Sequence, residues 1–135
     1  MSEPANPKPR IAILEDHEDT REMLQLGLET DFSVAVYKDA AELLSALPGG
    51  KFSAIVADIM LPGLDGFDFV RTIRKDSRLH TFCVIAVTAL AMAADREKGI
   101  AAGFTEYLVK PISPEDIKAV LWRHLMASGG RSSAA

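Results

Sequence analysis

Short apolar runs alternate along this chain with segments of helical periodicity, and that alternation limits the fold more than any other feature. Ile11-Ala12-Ile13-Leu14, Phe52 to Ala57 and Phe82 to Val87 are nearly continuous apolar runs, with Val34 to Tyr37 and Phe104 to Val109 as weaker counterparts. Runs of this kind suit strands buried on both faces, as in a parallel sheet covered by helices. Each is followed by a helical pattern: roughly Glu18 to Thr30, Asp39 to a stop at Pro48-Gly49-Gly50, Asp65 to Lys75, Ala91 to Ala102, and Pro114 to about Met126. Asp39 with Glu42, and Ser113 with Pro114 and Asp116, are helix-start signals, and Gly103 is a C-terminal cap signal. Ile112 and Ile117 are spaced for a hydrophobic staple. Five strand-then-helix units predict an α/β fold: a parallel sheet sandwiched between two helical layers.

A chain of 135 residues suits one domain with one core. Residues 1–9, with Pro4, Pro7 and Pro9, and residues 127–135, small and polar, read as flexible tails around a domain at 10–126. The net charge of -4, with basic residues scattered, argues against a nucleic-acid surface. A single cysteine, Cys83, excludes an intrachain disulfide and reads as a buried small hydrophobe. With no apolar stretch of about 20 residues and no signal core, the expected address is the cytoplasm, with no membrane contact.

In open α/β sheets, ligands bind outside the carboxyl ends of the strands. The chemically capable residues fall there. Strand ends lead into Glu15-Asp16, into Asp58, into Thr88 and into Lys110. Three clustered carboxylates repel one another unless a positive charge sits among them. A hard cation such as Mg²⁺ takes carboxylates, waters and phosphate oxygens, and Lys110 adds a compact charge. Such a group suits phosphoryl transfer, with Asp58 as nucleophile and Thr88 as a hydroxyl donor. Taken singly, each residue has a plainer reading: Glu15 and Asp16 as solvated helix-start carboxylates, Asp58 as a turn residue, Lys110 as a surface lysine.

The segments ILED (13–16), IVADIMLPGLDGFDFVRTIR (55–74), VTA (87–89) and AAGFTEYLVKP (101–111) resemble the receiver domains of bacterial response regulators, the CheY-like family. The resemblance covers about Arg10 to Met126. It implies the flavodoxin-like (βα)5 sandwich with sheet order 2-1-3-4-5. CheY is a standard example of that order. It implies Asp58 as phosphoacceptor, with Mg²⁺ held by Glu15, Asp16, Asp58 and the Met60 backbone carbonyl. Lys110 would pair with the phosphoryl group, Thr88 would turn toward it, and Tyr107 would swing inward as the coupled aromatic. A cis Lys110-Pro111 bond is expected. The partners implied are a sensor histidine kinase or a histidine phosphotransfer protein. A downstream protein would bind the face formed by the fourth helix, fifth strand and fifth helix (α4-β5-α5 in family order), including Ala93, Ala94, Glu97, Glu106, Lys118 and Trp122. Trp122 reads equally well as core.

Two positions depart from fast-resetting relatives. Met60 and Leu90 are apolar where amide or acidic side chains often orient the attacking water, so slow dephosphorylation, or dependence on a phosphatase partner, is expected. His17, His80 and His124 read as exposed polar residues. Glycine at position 99 is a poor helix former, which close packing would justify. No output domain follows the fifth helix, so action through a partner is expected. A receiver cut from a hybrid histidine kinase is an alternative. A Mg²⁺-dependent phosphatase with an aspartyl nucleophile is a weaker one: such enzymes need a second Asp where this chain has Met60, and usually a cap domain. No enzymatic activity beyond self-phosphorylation and self-dephosphorylation is expected.

Overall fold

The computed structural model describes residues 8–61 and 64–127. The expected tails fall mostly outside this span, and so does the turn expected at Pro62-Gly63. Five strands, β1 (Arg10–Leu14), β2 (Ser33–Tyr37), β3 (Ala54–Ala57), β6 (Cys83–Thr88) and β7 (Glu106–Val109), form one parallel sheet in the order β2-β1-β3-β6-β7. This is the 2-1-3-4-5 order of the flavodoxin-like fold. The two extra labels belong to a two-rung antiparallel ladder, β4 (Met60–Leu61) with β5 (Leu64–Asp65), which the sequence did not announce.

Alternate strand residues serve two cores. Ala12, Leu14, Ile55, Ala57, Val84 and Ala86 pack on one face, beneath α2 (Ala40–Gly50), α3 (Gly66–Lys75) and α4 (Ala93–Ala102). Ile11, Ile13, Ala54, Val56, Ile85 and Val87 pack on the other, beneath α1 (Glu18–Leu28) and α5 (Pro114–Ala127). Side chains alternate across a strand, so a sheet covered on both faces must be apolar at every position. That requirement is why the strand sequences show no polar alternation.

The helix ends follow local chemistry. The side chains of Asp39 and Asp65 accept from the backbone N–H groups of Ala41 and Phe67, each at 2.8 Å. Ser113 Oγ accepts from the Asp116 N–H at 3.2 Å, as its spacing predicts. Ile117 is fully buried, and Ile112 packs against the same cluster. α2 ends at Gly50, within the Pro48-Gly49-Gly50 stop that the sequence marks, with Pro48 in its last turn and Leu47 beside it buried. The helix closes at Lys51, in the left-handed region at φ 55°. Gly66 lies against β3's continuation: a Cβ there would approach the Ile59 Cα to 2.5 Å, so only glycine fits.

α5 sits beside α1. Lys118 Nζ is 3.3 Å from Asp31 Oδ1, and Trp122 donates from Nε1 to Asp31 Oδ2 at 3.1 Å while stacking on Phe32 at 4.9 Å. Lys118 therefore faces the end of α1, which corrects its assignment to the surface shared with α4, and of the two readings of Trp122 the core one holds. Arg123 and His124 of α5 reach toward β7, both meeting Glu106 Oε2 at 2.8 Å.

Candidate functional site

The sheet ladder itself places the site. One rung beyond the paired strand residues, the Glu15 N–H donates to the Tyr37 carbonyl, the Asp58 N–H to the Leu14 carbonyl and the Lys110 N–H to the Thr88 carbonyl, at 3.0, 3.0 and 2.8 Å. β1, β3 and β7 thus deliver their next side chains to one edge of the sheet. Lys110 Nζ lies 3.2 Å from Asp58 Oδ2 and 3.3 Å from Glu15 Oε1. Asp58 Oδ1 accepts from the Met60 N–H at 2.9 Å, and Glu15 Oε2 accepts from the His17 N–H at 3.2 Å.

Both acids are buried: 2% of Glu15 and 9% of Asp58 is exposed. Burial is the main reason the Glu15 carboxyl titrates above its ordinary value; the Asp58 charge pushes the same way, and Lys110 opposes both. Burial pulls Lys110 down, but Asp58 and Glu15 outweigh it, and its net shift is upward. The lysine is the counterion that lets two carboxylates share this edge.

Asp16 is exposed, and its backbone carbonyl accepts from Arg21 Nη1 at 3.2 Å. The same guanidinium nitrogen bonds the Glu15 carbonyl at 3.1 Å. Arg21 therefore holds the acidic loop by its main chain, a role no spacing rule could reveal. Among the described residues, no three His, Cys, Asp or Glu side chains are gathered tightly enough to hold a metal alone. The donors present are hard oxygens on two buried acids, with Asp16 beside them. That set fits Mg²⁺, which uses few carboxylates and keeps waters.

Thr88 is fully buried and its Oγ1 accepts from the Leu90 N–H at 3.3 Å. Tyr107 is 1% exposed, and its hydroxyl donates to the Leu90 carbonyl at 2.8 Å. Its ring is therefore already turned inward. Arg96 Nη1 bonds the Tyr107 carbonyl at 2.9 Å, a tether that was also illegible in the sequence. The Lys110-Pro111 bond is cis, as the resemblance implied. Met60 and Leu90 are apolar neighbours of the site; Met60 is 55% exposed. His17 is not a bystander: it caps α1, its Nδ1 lying 3.5 Å from the Thr20 N–H.

Comparison with known proteins agrees with this geometry. Residues 11–121 match the response regulator receiver domain family. Response regulator Rre1 of Synechocystis sp. is 32% identical over the whole of this chain, which spans 57% of that protein. The chemotaxis response regulator CheY4 of Vibrio cholerae superposes with a TM-score of 0.79 at 26% identity, covering 86% of this chain and 98% of that one. The receiver domain of the sensor histidine kinase PA1611 from Pseudomonas aeruginosa PAO1 superposes with a TM-score of 0.80 at 28% identity, covering 88% and 98%; that structure has a magnesium ion coordinated in its active-site cleft. The chain belongs to the response regulator receiver domain family, and so to two-component signalling. It spans little more than half of Rre1, and no helix among the described residues is long and apolar enough to cross a membrane.

Proposed function

We propose that Asp58 accepts a phosphoryl group from a phosphohistidine, on a sensor kinase or a histidine phosphotransfer protein, and that the acyl phosphate switches a partner-binding surface. The single observation that carries this reading is the Lys110 ammonium held 3.2 Å from the buried Asp58 carboxylate, with Glu15 at its other side. The Asp58 carboxylate attacks phosphorus in line with the bond to the donor nitrogen, which leaves with its electron pair. Lys110 neutralises charge on the transferring group. Thr88, one rung from Lys110 in the ladder, turns its hydroxyl to a phosphoryl oxygen. Glu15, Asp16, Asp58 and the Met60 carbonyl would hold Mg²⁺, which supplies further charge neutralisation.

A complete switch needs a differential of about 5.5 kcal/mol between two states. New bonds from Thr88 and Lys110 to a dianion supply a share of it. The readout surface is the outer face of α4, β7 and the α5 side that meets Glu106, with exposed Ala93, Ala94 and Glu97. The expected address is the cytoplasm, and no turnover of a separate substrate is expected. The likeness to a sensor kinase's receiver domain also supports a module of a hybrid histidine kinase. The Asp58 chemistry is the same in both settings.

Treating the protein with acetyl phosphate and Mg²⁺ tests the reading. Mass spectrometry should show one added phosphoryl group, absent in Asp58→Ala. An unchanged mass, or an adduct that survives Asp58→Ala, would refute it.

A further inference from the structure

Glycine is a poor choice for a helix interior, yet Gly99 sits in α4 and is buried there. The reason lies across the helix. A Cβ at position 99 would stand 2.7 Å from Tyr107 Cδ1 and 2.9 Å from Cε1. The ring cannot give way by a small adjustment. Its hydroxyl is fixed to the Leu90 carbonyl, its backbone carbonyl to Arg96 Nη1, and it is 1% exposed. Arg96 stands on α4 itself, so helix and ring are tied together at the place where the extra carbon would be inserted.

Leu90 links this contact to the reactive edge. Its carbonyl receives the Tyr107 hydroxyl, and its N–H donates to Thr88 Oγ1 at 3.3 Å. We propose that Gly99 is a positioning residue: the bare α4 backbone at this point makes room for Tyr107 to lie inward, and through Leu90 it sets where the Thr88 hydroxyl lies. A side chain at 99 would turn the ring outward and loosen the Thr88 segment. The consequence for signalling rests on the switch reading of Thr88 and Tyr107 given above; the steric relation does not.

The test uses the full chain labelled with 3-fluorotyrosine, whose two tyrosines are Tyr37 and Tyr107. Tyr37 serves as internal reference. In Gly99→Ala, the Tyr107 fluorine resonance should shift and gain a solvent isotope effect in D2O, while that of Tyr37 stays put. Melting temperatures complete a double-mutant cycle. Gly99→Ala should lower Tm in the native background. In a Tyr107→Ala background it should raise Tm, because alanine is the better helix former once the ring is gone. If Gly99→Ala fails to fold alone, the paired Tyr107→Ala backgrounds still give the sign. A Tyr107 resonance unmoved by Gly99→Ala, or a Tm loss of equal size in both backgrounds, would overturn the proposal. None of these readouts requires phosphorylation. Failure of acetyl phosphate to modify Asp58 would count against the switch reading and leave the steric relation standing.

Discussion

Replacing Lys110 with methionine keeps an unbranched side chain, one atom shorter, and removes the charge from between two buried acids. Nζ is 3.2 Å from Asp58 Oδ2 and 3.3 Å from Glu15 Oε1. At an effective dielectric of about 20, each contact is worth about 5 kcal/mol of gross attraction. Most of that is offset by hydration the ammonium regains on unfolding, and the lysine side chain is 28% exposed, which screens it further. The larger effect is what remains: Glu15 and Asp58 without a cation. Their repulsion has a ceiling, because the site can place a proton on Glu15, already displaced upward by burial and by Asp58. Holding a proton at pH 7 on a carboxyl that titrates near 4.5 in the unfolded chain costs about 3.4 kcal/mol; at pH 5 the cost is about 0.7 kcal/mol. The folded-state pKa lies above the unfolded one, so the native state binds more protons. The penalty is therefore absent at low pH and grows as pH rises. Lys110→Met should lose about 1–3 kcal/mol at pH 7 and less than about 1 kcal/mol at pH 5. Urea titrations at both pH values in chelator measure this. A deficit as large at pH 5 as at pH 7 would refute the electrostatic account and point to packing.

The remaining predictions concern other parts of the molecule. Arg74, half-buried at the end of α3, donates to the carbonyls of Gly103 at 2.8 Å and His80 at 3.1 Å, to the Phe82 carbonyl, and to Thr105 Oγ1 at 3.3 Å. Arg74→Ala should cost about 2–4 kcal/mol by urea denaturation, and Arg74→Lys should not recover it, because a lysine lacks the planar fork. The Asp31 carboxyl is held below its usual range chiefly by the Trp122 indole N–H, then by Thr30 and Lys118. Its contribution to stability is present above the unfolded pKa and fades as pH falls through the lower folded value, so the emission of Trp122, the chain's single tryptophan, should shift in that acid range and not in Asp31→Asn. Met60→Asn should shorten the lifetime of the Asp58 acyl phosphate, followed by loss of the phosphoryl mass with time; a lifetime of seconds in the unmodified protein would defeat the expectation of slow reset.

The fold was legible because the requirement that wrote it is simple. A sheet buried on both faces needs an apolar residue at each position, and runs such as Ile11 to Leu14 satisfy it without ambiguity. The gathering of Glu15, Asp58 and Lys110 was legible too, since strand ends point to one edge whatever the helices do. What escaped were contacts set by helix rotation and by loops. Periodicity says that α5 has a buried face; it does not say whether Lys118 and Trp122 look toward α1 or toward β7. The His17 cap was missed because histidine is outside the usual capping set. Close packing was the expected reason for Gly99, but that its neighbour would be the Tyr107 ring was not legible.

The reactive residues hang from peptide groups that extend the central ladder: the Glu15, Asp58 and Lys110 amides each donate to a neighbouring strand's carbonyl. The Asp58 amide, held between β3 and β1, can meet bulk solvent only when the middle of the sheet comes apart, whereas those of Glu15 and Lys110 lie along the outer strands β2 and β7. Exchange of the Asp58 amide with deuterium should therefore be the slowest of the three, while the Leu90 amide, bonded to a hydroxyl, should exchange through local opening. Asp58 thus hangs from the interior of the ladder, and its two companions from its margins.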